Sequence, residues 1–239
     1  MKRKSYLPVL MAVFLWLGVS AGLLAKDGPG FGGGYFSVGE NWNSLSNLNA
    51  SLTAAGYTSV PENGLAFGGG GFGINNRFLF GGMGAGISFG STKANGNEVK
   101  LQGGFGLFDV GYVLFSSSNL RVYPLVGIGG GGFTLKILKQ GSPSPFGELL
   151  KKPAGAVQLT SGDFLLNLGI GFHTLLFKKE KKNNQGYGGF LLGVRAGYLI
   201  SIVHGKFGLE DAEVPNAPKS PFTGPYIYLT LGGGGSQTK

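Results

Sequence analysis

Glycine in this chain stands inside apolar segments whose side chains alternate with a period of two residues. Between residues 187 and 204, apolar residues such as Phe190 and Val194 take every second position, and Gly189, Gly193 and Gly197 stand at positions between them. Residues two apart share one face of a strand, whereas each glycine inside a helix costs about 1 kcal/mol relative to alanine. The pattern therefore predicts β-strands with one apolar and one small or polar face, and it argues against the chief rival, a bundle of membrane helices.

Composition narrows the class of protein further. Only 13% of the residues are charged, against about 25% in a typical soluble domain, so part of the surface is expected to face a medium other than water. The 48 glycines follow no Gly-X-Y period, which excludes collagen, and no cysteine is present. The lack of cysteine excludes a disulfide scaffold, a cysteine nucleophile and thiolate metal sites.

The first 25 residues have the organisation of a secretory signal peptide. A basic start precedes an apolar stretch from Tyr6 to Val19, and small residues offer cleavage after Ala21 or after Ala25. An uncleaved membrane anchor is the alternative, because the uncharged stretch through Ala25 is just long enough to span a bilayer. We expect residues 1–25 to direct export and residues 26–239 to form one mature domain.

Eight apolar segments with turn residues between them follow the signal peptide. Their connections alternate between short turns and long loops, which is typical of a closed antiparallel eight-stranded transmembrane β-barrel with both termini on the periplasmic side. Closure leaves every strand paired, as lipid requires. Pro124 cannot donate to a ladder, so the fifth strand is expected to start late or to bulge there. The predicted strands are Phe31–Gly39, Leu65–Ile74, Arg77–Gly90, Val99–Phe115, Leu120–Ile137, Asp163–Phe177, Tyr187–His204 and Gly224–Gly234.

The segments from Gly104 to Tyr112 and from Tyr123 to Gly132 look similar to those of glycine-rich outer-membrane barrels. The mature chain as a whole resembles the small eight-stranded outer-membrane barrels, the class typified by the outer-membrane protein A transmembrane domain and the lipid A palmitoyltransferase. This resemblance implies a place in the outer membrane of a Gram-negative cell envelope, with outer-membrane lipid and the barrel-insertion machinery as partners. It implies no particular activity.

Tyrosines and lysines give two further expectations. Tyrosine rings in such a barrel commonly form girdles at the membrane interfaces, and we assign five rings to these girdles. The basic cluster near residues 178–182 lacks the aromatic or glycine pattern of a nucleic-acid-binding module, so no nucleic acid partner is expected. The girdle tyrosines are Tyr112, Tyr123, Tyr198, Tyr226 and Tyr228.

Leucines at helical spacing predict a short amphipathic helix in the first long loop, over residues 43–57. Asn43 or Ser44 is the expected N-cap, and Gly56 is the expected stop. Such a helix either plugs the lumen of the barrel or rests on its rim or on the membrane interface. The leucines of its apolar side are Leu45, Leu48 and Leu52.

Arg195 stands among glycines on the non-apolar face of its segment. An ionic group at membrane depth is expected to face the barrel interior and to need a partner, for which Asp109 is the obvious candidate. We predict that Asn167, His173 and Gln102 join them in a polar cluster in the lumen. The cluster either holds the barrel together or binds a small polar ligand.

Catalytic residues are harder to find. His204, Ser201, Glu210 and Asp211 lie near the outer end of the seventh segment and offer the groups of a hydrolase-like site, without a diagnostic spacing. The sequence therefore predicts a non-enzymatic outer-membrane barrel with a structural or surface-interaction role and no cofactor or metal. Binding or passage of a small molecule through a glycine-lined lumen, and a lipid-modifying enzyme, are the two alternatives.

Overall fold

The computed structural model describes residues 30–117, 120–139, 156–180, 186–209 and 212–237. The predicted signal peptide, residues 1–25, and two of the loop carboxylates, Glu210 and Asp211, lie outside the described residues. Eight long strands and one helix, α1 (Ser46–Ala54), form the body of the fold. In chain order the strands are β1 Phe31–Trp42, β2 Asn63–Asn75, β3 Phe78–Ala94, β4 Asn97–Tyr112, β5 Leu120–Lys139, β6 Asp163–Glu180, β7 Gly186–His204 and β8 Gly224–Gln237.

The eight strands form a closed antiparallel barrel. Each strand pairs with its neighbour in the sequence, and β8 returns to pair with β1 from Phe31 opposite Ser236 to Asn41 opposite Tyr226. The predicted fold class and all eight strand positions are confirmed, with ends that differ by a few residues. Short strands extend the wall at Phe115–Ser116, Ala156–Thr160, Gly208–Leu209 and Ala212–Glu213.

Of the late start and the bulge expected at Pro124, the late start is wrong, and the irregularity is an extra residue in the partner strand instead of a bulge in the strand of Pro124. β5 is continuous on both sides of it. The neighbouring strand β4 instead leaves the ladder after Gly111 pairs with Leu125, and pairing on that side resumes where Phe115 meets Val122. Pro124 thus lies opposite the interruption, where a residue without an N–H group is tolerated.

The predicted helix is present, but its expected cap is wrong. No side chain caps its N-terminus, because the helix begins at Ser46 and the N-cap position is held by Leu45, which has no polar side chain. The Asn43 side-chain amide donates to the Pro221 carbonyl oxygen at 3.3 Å, and the Ser44 amide bonds another carbonyl of the same loop. Gly56 follows the helix with φ 82°, a left-handed conformation that suits glycine and ends a helix.

The outer surface of the wall is apolar over most of its height. No helix among the described residues is long and apolar enough to cross a membrane. Large apolar side chains exposed on all sides of a barrel are typical of strands that face lipid. They include Phe36, Phe67, Phe80, Val110, Val126, Ile128, Leu168, Ile170, Val194 and Ile227.

Candidate functional site

A hydrogen-bonded polar cluster fills the middle of the barrel. The Arg195 guanidinium donates from Nη1 to Asp109 Oδ2 at 3.1 Å, and the two side chains are fully buried. Asn167 donates from Nδ2 to the other carboxylate oxygen of Asp109 at 2.9 Å. Tyr226 in turn donates its hydroxyl to Asn167 Oδ1 at 2.9 Å. These four residues, from β4, β6, β7 and β8, are called the polar cluster below.

Aromatic rings enclose the guanidinium of the polar cluster. Its Cζ atom lies 4.9 Å from the centre of the Tyr35 ring and 6.0 Å from that of Tyr123. The Tyr123 hydroxyl lies 3.0 Å from His173 Nδ1, and the His173 ring stacks on Phe72 with centroids 4.7 Å apart. His173 therefore lies beside the polar cluster and is connected to it through Tyr123. Cation–π contacts of this kind stabilise a desolvated guanidinium.

Gln102 does not join the polar cluster, contrary to our expectation. Its side chain is exposed on the outer face, while its neighbours Leu101 and Gly103 belong to the inner face. Gln102 and Asp109 are separated by an odd number of positions on one strand, so their side chains point to opposite faces.

Three of the five tyrosines assigned to the girdles face the barrel interior instead. Tyr112 and Tyr198 are exposed on the outer wall as predicted for a girdle, but Tyr123, Tyr226 and Tyr228 are buried inside. Their assignment to the girdle was wrong because it rested on residue type alone. The alternation around Tyr123, which shares its face with nearby glycines, was the available signal.

Glycines on the inner face make room for the polar cluster and its rings. A Cβ atom at Gly127 would overlap Asp109 Oδ1 and would lie 2.8 Å from the Phe108 carbonyl oxygen. A Cβ atom at Gly197 would lie 2.7 Å from the Tyr226 hydroxyl, and one at Gly171 would overlap the Tyr123 ring. Each of these glycines is the register partner of the large side chain on the neighbouring strand. The large side chains therefore have room inside the narrow barrel.

Helix α1 lies at the end of the barrel where β1 ends and β8 begins. Leu45, Leu48 and Leu52 are buried in the same hydrophobic cluster as the inward-facing side chains of the wall. The Asn49 side chain fixes the returning chain by bonding both the N–H and the carbonyl of Val60, at 2.9 and 3.0 Å. This packing favours the lid or plug interpretation over a helix that lies in the membrane interface.

The hydrolase-like arrangement is not formed by the described residues. The Ser201 hydroxyl donates to Asp163 Oδ1 at 3.1 Å, and the His204 side chain is exposed. Asp163 also accepts from the Ser220 hydroxyl and from the Gly205 amide. The carboxylate therefore ties strand ends and the last loop together. A nucleophile needs a hydrogen-bonded base, and Ser201 has no such contact with His204.

A cleft of about 280 Å³ opens at this rim, between α1 and the last long loop. Polar side chains of both elements, of Ser44 just before α1 and of His204 at the end of β7, line it beside the apolar Leu48. They belong to Ser44, Asn47, His204, Lys219, Ser220 and Thr223.

A closed eight-stranded barrel with an apolar exterior defines a membrane β-barrel. No protein-family model and no curated protein matches the sequence. Among solved structures, the chain is similar to Ail, the attachment invasion locus protein of Yersinia pestis, at 12% identity and a TM-score of 0.42, covering 89% of this chain and 100% of that one.

Two further solved structures are similar at the same low level. The outer membrane protein OprG of Pseudomonas aeruginosa has 13% identity and a TM-score of 0.40, covering 88% of this chain and 96% of that one. The outer membrane protease OmpT of Escherichia coli has 8% identity and a TM-score of 0.30, covering 88% and 97%. The fold assignment rests on the strand pairing of the chain itself.

Proposed function

We propose that this protein is a non-enzymatic outer-membrane β-barrel with a structural or surface-interaction role in the cell envelope. The signal peptide would direct its export to the outer membrane. The observation that carries the proposal is the polar cluster, which joins strands across the lumen and leaves Arg195 and Asp109 fully buried. A pore lining would leave ionic side chains in contact with water. Helix α1 supports the same proposal, because its leucines are buried in one cluster with the inward-facing side chains of the wall.

The membrane location predicts a heat-dependent change in gel mobility. A closed barrel holds every strand between two neighbours, so we expect it to resist detergent until it is boiled. Separated inner- and outer-membrane fractions should be run boiled and unboiled. Migration that shifts on boiling, in the outer-membrane fraction, is the expected result. Protein in the inner membrane without a shift would contradict the proposal.

A lumen filled by side chains predicts no ion conduction. Wild-type protein reconstituted in planar bilayers is expected to give no stepwise current, because Arg195, Asp109 and the surrounding tyrosines occupy the middle of the barrel. A pore-forming peptide in the same bilayer serves as the positive control, and the boiling test checks that the barrel is folded. Reproducible current steps from the folded wild type would favour the alternative of small-molecule passage.

A further inference from the structure

The outer wall changes from apolar to polar along one line that crosses three strands. Ser88 of β3, Gln102 of β4 and Thr134 of β5 are register partners and lie side by side. The preceding outward-facing row toward the inner end consists of glycines, among them Gly104 and Gly132. This polar row marks where the apolar part of the wall ends on this side of the barrel.

Two lysines lie directly beyond the polar row. Lys100 of β4 and Lys136 of β5 are register partners, and the buried residues Leu101 and Leu135 beside them show that both lysines point outward. Side chains directly opposite on antiparallel strands have Cβ atoms about 4.5–5.5 Å apart, and like charges in that position are destabilising. Binding of an anion that both ammonium groups can contact would therefore relieve the repulsion between the two lysines.

The surroundings of the lysine pair are also basic. Lys93 lies on the neighbouring strand, with its register partner Glu98 between it and Lys100. Lys100 Nζ lies 3.3 Å from Glu98 Oε1. A hydrogen bond from the Ser91 side chain holds the pKa of Glu98 below its usual value, and the positive charges of Lys100 and Lys93 act in the same direction. Among the residues that the structure describes at this place, three lysines with one carboxylate leave an excess of positive charge, and the three are called the basic rim below.

We infer that the basic rim binds the phosphate groups of an anionic lipid in the outer leaflet. The lysines lie where the apolar wall gives way to polar side chains, which is the level at which lipid headgroups begin. Their charge complements phosphate, and lysines near a membrane surface gain about 1 kcal/mol each from anionic lipid. The inference rests on the proposed location in the outer membrane, and it adds a lipid-binding surface that the barrel fold alone does not require.

Thermal unfolding in vesicles of defined composition tests this inference. Full-length mature protein is inserted into phosphatidylcholine vesicles with increasing fractions of lipid A, and the melting temperature is read from heat-dependent gel mobility. We expect lipid A to raise the melting temperature of the wild type. The double variant Lys100→Gln/Lys136→Gln should need about thirtyfold more lipid A for half of that rise. Lys219→Gln, an exposed lysine on the last loop, is the matched control and should behave like the wild type.

Each other outcome would count against the basic rim. An unchanged lipid A requirement in the double variant would overturn it, as would an equal loss in Lys219→Gln. An equal rise with inorganic phosphate in pure phosphatidylcholine vesicles would indicate a free-anion site instead of a lipid site. Failure of the wild type to insert in any vesicle would contradict the membrane barrel itself, and this result is distinguishable because no heat-dependent mobility would then be seen.

Discussion

Replacing Asp109 with alanine is expected to lower the free energy of unfolding of the barrel by about 3–5 kcal/mol. The substitution leaves the guanidinium of Arg195 fully buried without its carboxylate partner. It also removes the acceptor of the Asn167 amide at the same time. Urea unfolding in phosphatidylcholine vesicles, followed by the fluorescence of Trp42, measures the loss.

Two variants show whether the loss comes from the buried pair. Glu98→Gln also removes a carboxylate from an ion pair, but that pair is partly exposed and should change stability by about 0.5 kcal/mol or less. In the double variant Asp109→Ala/Arg195→Leu, neither charge of this pair remains, so the loss should be smaller than the sum of the single losses. Strict additivity, or a stability loss in Asp109→Ala no larger than that in Glu98→Gln, would mean that the pair is not buried as described.

Replacing Gly127 with alanine is the prediction with the next largest effect. The added methyl group would overlap the Asp109 carboxylate and crowd the carbonyl of Phe108. Asp109 cannot move away freely, because Arg195 and Asn167 hold both of its oxygens. We expect a loss of about 1–3 kcal/mol in the same unfolding assay, as for other overpacked interiors.

Gly86→Ala is the matched control for that substitution. Gly86 lies on the outer face of β3, and a Cβ atom there would meet nothing within 4 Å. Its stability should change by about 0.5 kcal/mol or less. If both variants lost the same stability, the cost would reflect the removal of glycine from a strand in general, and the interior role assigned to Gly127 would be wrong.

The strands were predictable from the sequence because a two-residue period is a local property. Apolar side chains at every second position, with turn residues between segments, determined eight strands and their approximate ends. The same alternation assigns faces when it is followed strictly. It would have placed Gln102 on the face opposite to Asp109, and Tyr123 on the face of its neighbouring glycines.

Helix α1 shows what a local sequence pattern cannot determine, namely the surface against which the helix packs. Leucine spacing predicted α1, but a helix with one apolar side packs equally well against a rim, a lumen or a lipid interface. Contacts with distant loops decide among these surfaces. The Asn43 side chain, for example, donates to the Pro221 carbonyl, 178 positions along the chain, while the N-cap position of α1 is held by Leu45.

The sequence by itself determined the closed barrel, the number of strands and the inward direction of Arg195, since each follows from alternation and from the need to pair every strand in lipid. Residue type suggested Asp109 as the partner of Arg195, but only the tertiary structure decided that the two groups meet. Arg195 and Asp109 are 86 positions apart on strands that are not neighbours. Their contact depends on how the closed wall curves and on the glycines that make room inside it. Only closure across the lumen brings the guanidinium, the carboxylate and the enclosing rings together.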